Sequence, residues 1–493
     1  MRNQYRLDQK ERKIFRVLAE SAFANPFDAR SLQLMYKLAG DRYPAGDILA
    51  GKVFARVTKY LDRVSQDGRI KWYRFAGEDR DLVRIATLRQ IYHHCCVKFD
   101  DLIRLQVQTD HTPCHVPFAG DILRLLRQSG FSAEDSLLYF GFYYQLRRAW
   151  YFINQGLIGQ SKPMEKLRSR LWASVFTSYP DWYEKTLWSR MEDFSTFLIG
   201  ETGTGKGTAA AAIGRSGFIP FDENKGCFAE SFTHNFIEIN LSQFPESLIE
   251  SELFGHKKGA FTGAVDNHQG VFALCSPHGS IFLDEIGDVS IPVQIKLLKV
   301  LEERRFSPVG DHAKLYFHGR VVTATNRSLE QLREEGRFRE DFYYRLCSNV
   351  VPVPTLREQI SSDEKTLSAL LAHTVGKIVG GPAPDLLQTV LEVITKDVGP
   401  GYRWPGNVRE LEQAVRSILI TRHYHGTGDG GKEMDSLSGA MQNESVSVGE
   451  LVSRYCMELY KRHGTFEKVA AITGLDPRTA KKHIRAAIRD REK

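Results

Sequence analysis

The stretch Gly200-Glu201-Thr202-Gly203-Thr204-Gly205-Lys206 sets glycines around a lysine in the order that wraps backbone N–H groups about phosphate oxygens. It follows the apolar run Phe197-Leu198-Ile199 and precedes the alanine-rich Thr208-Ala209-Ala210-Ala211-Ala212, the strand-loop-helix context that such a loop needs. The helix N-terminus adds partial positive charge, and Lys206 is expected to reach the β- and γ-phosphates of ATP. The next position, where a hydroxyl often helps hold Mg²⁺, is Gly207, with Thr208 one further on. Downstream, Gly279-Ser280-Ile281-Phe282-Leu283-Asp284-Glu285 is an apolar strand ending in two acids. Asp284 is expected to hold Mg²⁺ through water, and Glu285 to polarise an attacking water. Thr323-Ala324-Thr325-Asn326 ends another apolar run, where Asn326 would feel the γ-phosphate. The chemistry these residues point to is hydrolysis of ATP with Mg²⁺.

Such groups must be held by a sheet. Short apolar runs occur at Phe197-Leu198-Ile199, Phe236-Ile237-Glu238-Ile239, Ile281-Phe282-Leu283, Val321-Val322-Thr323 and Val350-Val351, with helical segments between them. Strands alternating with helices imply a mostly parallel sheet covered on both faces. This α/β part is expected over 155–424. Residues 1–154 lack strand patterns and read as all-α, with amphipathic stretches such as Asp121-Ile122-Leu123-Arg124-Leu125-Leu126-Arg127. Residues 425–448 are Gly-rich and polar and read as a flexible linker, while 449–493 are helical and basic.

The chain has 493 residues, 42% hydrophobic and 26% charged, which suits two to four globular domains. No apolar run has the length of a membrane span, and the first residues lack a signal-peptide core, so no membrane association and a cytoplasmic location are expected. Seven cysteines without a Cys-x-x-Cys pair argue against a disulfide framework. His93-His94-Cys95-Cys96 and His111-Thr112-Pro113-Cys114-His115 gather soft metal ligands, but their spacing fits no standard site. Core cysteines and surface histidines are the reading that spacing favours. No receiver-like strand-Asp pattern supports phosphorelay control of the front part.

About fifty residues past the phosphate loop stands Gly259-Ala260-Phe261-Thr262-Gly263-Ala264. It resembles the loop by which bacterial AAA+ enhancer-binding activators touch the sigma-54 factor of RNA polymerase. With the nucleotide motifs in order around it, the region from 158 to about 420 is similar to the AAA+ domain of sigma-54-dependent transcriptional activators, a P-loop core of parallel sheet with a helical lid. That resemblance implies ATP hydrolysis, a ring of this chain with itself, usually a hexamer, and sigma-54 RNA polymerase as partner. It places Ile158 beside the adenine, assigns Arg339 and Arg345 as arginine fingers acting on a neighbouring subunit's site, and makes Arg409 the second nucleotide sensor. Asn240 matches the residue that couples Glu285 to the contact loop. The family usually has Glu where this chain has Gly207. Residues 172–193 and 215–235 are longer and more aromatic than the usual connections, and are expected as surface insertions.

The end of the chain, from Glu450, resembles a Fis-type helix-turn-helix: Phe466 to Thr473, a turn at Gly474, then a helix from Pro477. Arg478, Thr479, Lys481, Lys482 and Arg485 lie near the start of that helix and are the expected contacts to double-stranded DNA. Eleven Lys and Arg against six Asp and Glu leave this segment at +5, most of the chain's +7. Two other readings share parts of this pattern. A AAA+ remodeller of other proteins would lack both the Gly259–Ala264 loop and the helix-turn-helix. A DNA-binding regulator that does not hydrolyse ATP would lack Asp284, Glu285 or the fingers.

Overall fold

The structure is a computed structural model and describes residues 5–43, 46–65, 70–109, 112–426 and 447–489. Most of the expected linker (427–446) and His111 lie outside the described residues. The chain forms two compact units, 1–370 and 371–493.

The first unit is built on a five-stranded sheet of β1 (Thr196–Ile199), β2 (Phe236–Asn240), β3 (Ser280–Asp284), β4 (Arg320–Thr325) and β5 (Asn349–Pro352). Their spatial order is β2-β3-β4-β1-β5, and every pairing is parallel. Each strand coincides with one of the apolar runs in the sequence. β4 is buried over all six residues and β1 over its first three, as a sheet covered on both faces requires. The register levels the carboxyl ends: Ile199 lies opposite Thr325, Leu283 opposite Thr323, and Asn240 opposite Asp284. The segments leaving β1, β3 and β4 therefore emerge along one edge, where open α/β sheets bind ligands.

In front of the sheet come α1 (Gln9–Phe23), α2 (Ala29–Ala39), α3 (Asp47–Val64), α4 (Glu78–Thr109), α5 (Ala119–Gln128) and α6 (Ala133–Trp150), which continues as a π turn over Tyr151–Gln155. α1 opens with a capping box between Asp8 and Glu11. Its Arg12 grips Asp79 at the start of α4, with Nε–Oδ1 at 2.7 Å, and this holds the Asp79 carboxyl below its usual pKa.

The long aromatic connections are not surface insertions. Tyr183, Phe221, Phe228 and Phe232 are buried, and they pack on α6. The Tyr144 and Phe228 rings stack at 3.9 Å, and Phe140 meets Phe221 edge-on at 4.8 Å. Arg148 is wholly buried here, and among the described residues no carboxylate pairs with it. Its guanidinium donates to the carbonyls of Arg215 and Gly217, both at 2.6 Å, and lies 4.4 Å from the Tyr144 ring centre. Burial lowers its pKa to about 10. The aromatic surplus in both segments has one physical cause: each supplies half of a shared core between the helical front and the α/β sheet. α7 (Lys162–Phe176) and α8 (Lys206–Gly214) cover the same side of the sheet and touch each other.

In the second unit, α12 (Lys365–Val379), which crosses the unit boundary, is followed by α13 (Pro384–Asp397) and α14 (Asn407–Thr421). The buried Glu410 of α14 accepts hydrogen bonds from the Tyr424 hydroxyl at 2.7 Å and the Gly406 N–H at 2.7 Å, and also binds Tyr402. Further along are α15 (Val448–His463), α16 (Phe466–Thr473) and α17 (Pro477–Arg489), which close around Cys456, Leu459, Val469, Ala470, Ala480 and Ile484. The last two helices begin and end where the sequence places them, with Gly474 between them at φ +71°.

Candidate nucleotide site and contact loop

The phosphate loop joins β1 to α8. Gly203 (φ +78°) and Gly205 (φ +95°) take the left-handed backbone that only glycine adopts freely, so the loop can curl before the helix begins at Lys206. Gly200 is fixed for another reason: a Cβ there would stand 2.8 Å from the Val353 carbonyl oxygen. The Thr204 hydroxyl donates to the Glu201 carbonyl at 2.8 Å. Lys206 is buried within the loop, its ammonium donating to the carbonyls of Gly200 (2.9 Å) and Glu201 (3.2 Å). The Glu201 carboxylate forms a two-pronged ion pair with Arg357, a partnership that sequence reasoning missed. Arg357 lies just past β5, so this pair ties the loop to the edge of the sheet.

Three expected residues come together at the carboxyl edge. Asn326, following β4, donates from its side-chain amide to the Thr202 hydroxyl at 2.9 Å and from its backbone N–H to Glu285 Oε2 at 3.1 Å. Glu285 itself has φ +55°, a conformation that costs a non-glycine residue on the order of 1–3 kcal/mol and is met mostly at functional sites. Its N–H is held by Asp284 Oδ1 at 3.1 Å. Burial raises the Glu285 carboxyl pKa above the ordinary value, opposed by the Asn326 N–H and by the charge of Lys206. A poised carboxylate, a lysine and an amide thus surround one space. The glycine cradle fits a triphosphate, and the Asp284 and Glu285 carboxylates supply the oxygen ligands that Mg²⁺ prefers. Thr208 is exposed in the first turn of α8.

Gly207 has a counterpart that the sequence did not reveal. A Cβ built there would lie 3.4 Å from Oε1 of Glu238, on β2. The space of a side chain at 207 is thus bordered by a carboxylate from the neighbouring strand.

Other expected residues are placed differently. Asn240 stands beside Asp284 in the sheet, but its side chain accepts from the Ser242 N–H (3.0 Å) and hydroxyl (2.7 Å) and makes no bond to Glu285. Arg339 pairs with Asp341, with Nη2–Oδ2 at 2.6 Å. Arg345 donates to the carbonyl of Leu301, in α10 (Ile291–Glu303), at 2.6 Å. Arg339 is the N-cap residue of α11 (Glu340–Leu346) and Arg345 lies in its last turn, each held by a partner other than this chain's own phosphate loop. Ile158 is half-buried in a segment clamped by α7: Arg168 donates to the carbonyls of Leu157 (2.5 Å) and Gly159 (2.6 Å). Arg409 is exposed in the first turn of α14, in the second unit.

The Gly259–Ala264 loop rises from α9 (Glu246–Phe254). Its stem is an exchange of N–H to O bonds between His256 and His268 at 3.0 and 2.9 Å. The Gly259 N–H closes the tip on the Ala264 carbonyl at 2.8 Å, with Gly259 at φ +81° and Gly263 at φ +103°. Ala264 is buried, Ala260 is half-buried and Thr262 is exposed. Phe261 is half-buried, its ring edge-on to the His256 imidazole at 4.9 Å. His256 is held in turn by the Ser251 hydroxyl at 2.6 Å.

On the C-terminal helices, Arg478, Lys481, Lys482 and Arg485 are exposed and Thr479 is half-buried. Lys481 lies 5.3 Å from the Phe466 ring centre. Among the described residues, no group of three His, Cys, Asp or Glu is arranged to hold a metal. Cys95 is buried and donates to helix carbonyls, and the His93 and His94 rings pack on Phe54. Cys114 contacts the Thr109 hydroxyl, and His115 lies under Gly226. No described helix is long and apolar enough to cross a membrane.

Residues 180–353 match the family described as Sigma-54 interaction domain. The Nif-specific regulatory protein of Azotobacter vinelandii is 38% identical over 253 residues, 51% of this chain and 44% of that protein. The regulatory protein AtoC of Escherichia coli K12 is 34% identical over 252 residues, 50% of each. The chain spans about half the length of the curated relatives it matches. Among solved structures, NtrX from Brucella abortus in complex with ADP aligns at 19% identity and a TM-score of 0.42, covering 75% of this chain and 80% of that one. The stretch that matches the Sigma-54 interaction domain family, 180–353, carries both the phosphate loop and the Gly259–Ala264 loop.

Proposed function

We propose that the chain is an ATP-hydrolysing transcriptional activator that binds upstream double-stranded DNA and remodels sigma-54 RNA polymerase. The supporting observation is the linkage of Thr202, Asn326 and Glu285 in one hydrogen-bonded set at the carboxyl edge of the sheet. This set joins the phosphate loop to the acid that acts on water. Lys206 and the N–H groups of 202–208 would hold the phosphates, and Asp284 would hold Mg²⁺, which when bound would supply charge neutralisation at the phosphoryl oxygens. Glu285 accepts the water's proton, its raised pKa bringing it nearer the range of a general base. Arg339 and Arg345 act in a neighbouring subunit of a hexameric ring, where their present partners Asp341 and the Leu301 carbonyl give way to phosphate oxygens. Asn240 ends the strand between Asp284 and α9, and so relays the state of the site to the loop. Arg409 is assigned the role of second nucleotide sensor that the resemblance implies.

Residues 259–264 deliver the output. The N–H to O closure of the loop leaves Thr262 and one face of Phe261 outward, the surface offered to sigma-54. Residues 449–493 read DNA: Arg478 and Thr479 face base edges, while Lys481, Lys482 and Arg485 hold phosphates. In this reading 1–154 is regulatory, 155–424 the motor and 425–448 a tether. Permanganate footprinting of a sigma-54 promoter tests the proposal. The purified chain should open the start site with ATP and not with a non-hydrolysable analogue. A promoter that stays closed in every nucleotide condition, while the chain hydrolyses ATP, would transfer it to the remodellers of other proteins.

A further inference from the structure

A cavity of about 160 Å³ lies where the helical front meets the α/β part. It is lined by the end of α1, by Leu88, Arg89 and Tyr92 of α4, by α6, and by Trp172 and Phe176 of α7. The cavity is partly open to solvent, so a small molecule can enter it, and its lining is mostly aromatic and aliphatic. A dry apolar cavity of ~150 Å³ accommodates one benzene ring, so the volume suits a single six-membered aromatic ring.

The polar groups of the wall narrow the class. Glu184 is already bound by Arg84 (2.8 Å) and by the Tyr139 hydroxyl (2.6 Å). The Tyr143 hydroxyl is spent on the Leu88 carbonyl at 2.8 Å. Arg147, further along the aromatic wall, is held by Asp100. Arg89 is the remaining charge: it is half-buried, and among the described residues no carboxylate lies within ion-pair distance of it. An apolar space of this volume beside one uncommitted guanidinium is complementary to an aromatic carboxylate, which guanidinium binds through two parallel hydrogen bonds.

The cavity is also connected to the nucleotide site. Trp172 follows Arg168 by four residues, on the same face of α7. Arg168 clamps the backbone on both sides of Ile158. The other flank of the cavity is tied to α7 by Asn25, whose amide donates to the Ser169 carbonyl (2.8 Å), and by Phe27, whose ring meets Trp172 edge-on at 5.9 Å. A ligand against Trp172 therefore bears on the helix that positions the adenine-side segment and touches α8.

We propose that this cavity is an effector site for a small monocyclic aromatic carboxylate, and that its occupancy changes nucleotide affinity through α7. The second half rests on the ATP reading above; the first does not.

Calorimetry on the full chain without nucleotide, with benzoate as probe and benzyl alcohol as its neutral counterpart, tests the site. Benzoate should bind with one site per chain and more tightly than benzyl alcohol. Arg89→Leu should weaken benzoate at least tenfold and leave benzyl alcohol nearly unchanged. Leu146→Trp, which fills the cavity, should remove both, with circular dichroism reporting the fold. No benzoate binding at millimolar concentration, or binding that neither variant alters, overturns the site. If Leu146→Trp fails to fold, Arg89→Leu alone decides. Coupling is read as a change in ATP-analogue affinity on adding benzoate, mirrored by an equal change in benzoate affinity on adding the analogue. Benzoate binding with unchanged analogue affinity overturns the coupling and leaves the site standing. A chain that binds benzoate and no nucleotide refutes the ATP reading instead.

Discussion

Replacing Glu285 by Gln separates binding from chemistry at this site. The amide keeps an oxygen that can accept the Asn326 N–H, now 3.1 Å from Oε2, so the link from β4 to the phosphate loop should survive. Loss of a general base costs typically 10²–10⁴ in rate, which is about 3–5 kcal/mol at 1.36 kcal/mol per decade. Stability should change little. The lost charge-assisted bond is worth roughly 1.5–3 kcal/mol, but burial already disfavours the charged carboxyl, so the neutral amide regains part of that. ATP affinity should stay within a few-fold, because the phosphates are held by Lys206 and backbone N–H groups. The pH profile supplies a second reading. A base must be ionised to act, and its pKa is raised, so wild-type turnover should fall on the acid side at a pH above the ordinary carboxylate value. Steady-state phosphate release and calorimetric ATP binding would decide the matter. Glu285→Gln turnover within threefold of wild type, with intact binding, would refute the role given to this carboxylate.

Three further outcomes follow from other parts of the molecule. Gly207→Glu should set two carboxylates against each other at the head of α8 and lower stability by on the order of 1 kcal/mol in urea unfolding. Adding Glu238→Ala should more than restore it, because replacing glycine within a helix is itself favourable; a cycle with no coupling between the two positions would show that they do not face each other. Mixing Arg339→Ala or Arg345→Ala subunits with Glu285→Gln subunits should recover some ATPase activity, since a mixed interface pairs an intact finger with an intact acid; mixed rings without recovery would count against fingers acting in trans. Neutralising Lys481 and Lys482 should weaken DNA binding across sequences and lower the salt slope by about two, whereas Arg478→Ala should shift sequence preference; an unchanged slope in a filter-binding titration would place the phosphate contacts elsewhere.

The five strands were legible because a sheet covered on both faces demands mostly apolar runs, and β1, β3 and β4 lead into the residues proposed to do the chemistry. The bounds of the last two helices were equally legible, since Gly474 and Pro477 punctuate them. Pairings between distant segments were not. Glu201 with Arg357, Gly207 with Glu238, and the Arg168 clamp on Leu157 and Gly159 join residues whose types fit many surface roles. The aromatic excess in 172–193 and 215–235 was visible, but its destination was not. A matching excess in α6, from Leu137 to Trp150, was the available signal that the two surfaces meet. Asn240 occupies its expected place in the sheet while its side chain caps the next turn, because a short polar group at a strand end first satisfies nearby N–H donors.

The central claim is that ATP hydrolysis here is spent through the Gly259–Ala264 loop on sigma-54 polymerase. Thr262→Ala tests it most directly, because Thr262 is exposed at the loop tip and lies outside the hydrogen-bonded set around Glu285. ATP turnover and open-complex formation should be measured on the same preparation. The account predicts turnover within about twofold of wild type and loss of open complexes; open complexes at the wild-type level would contradict it.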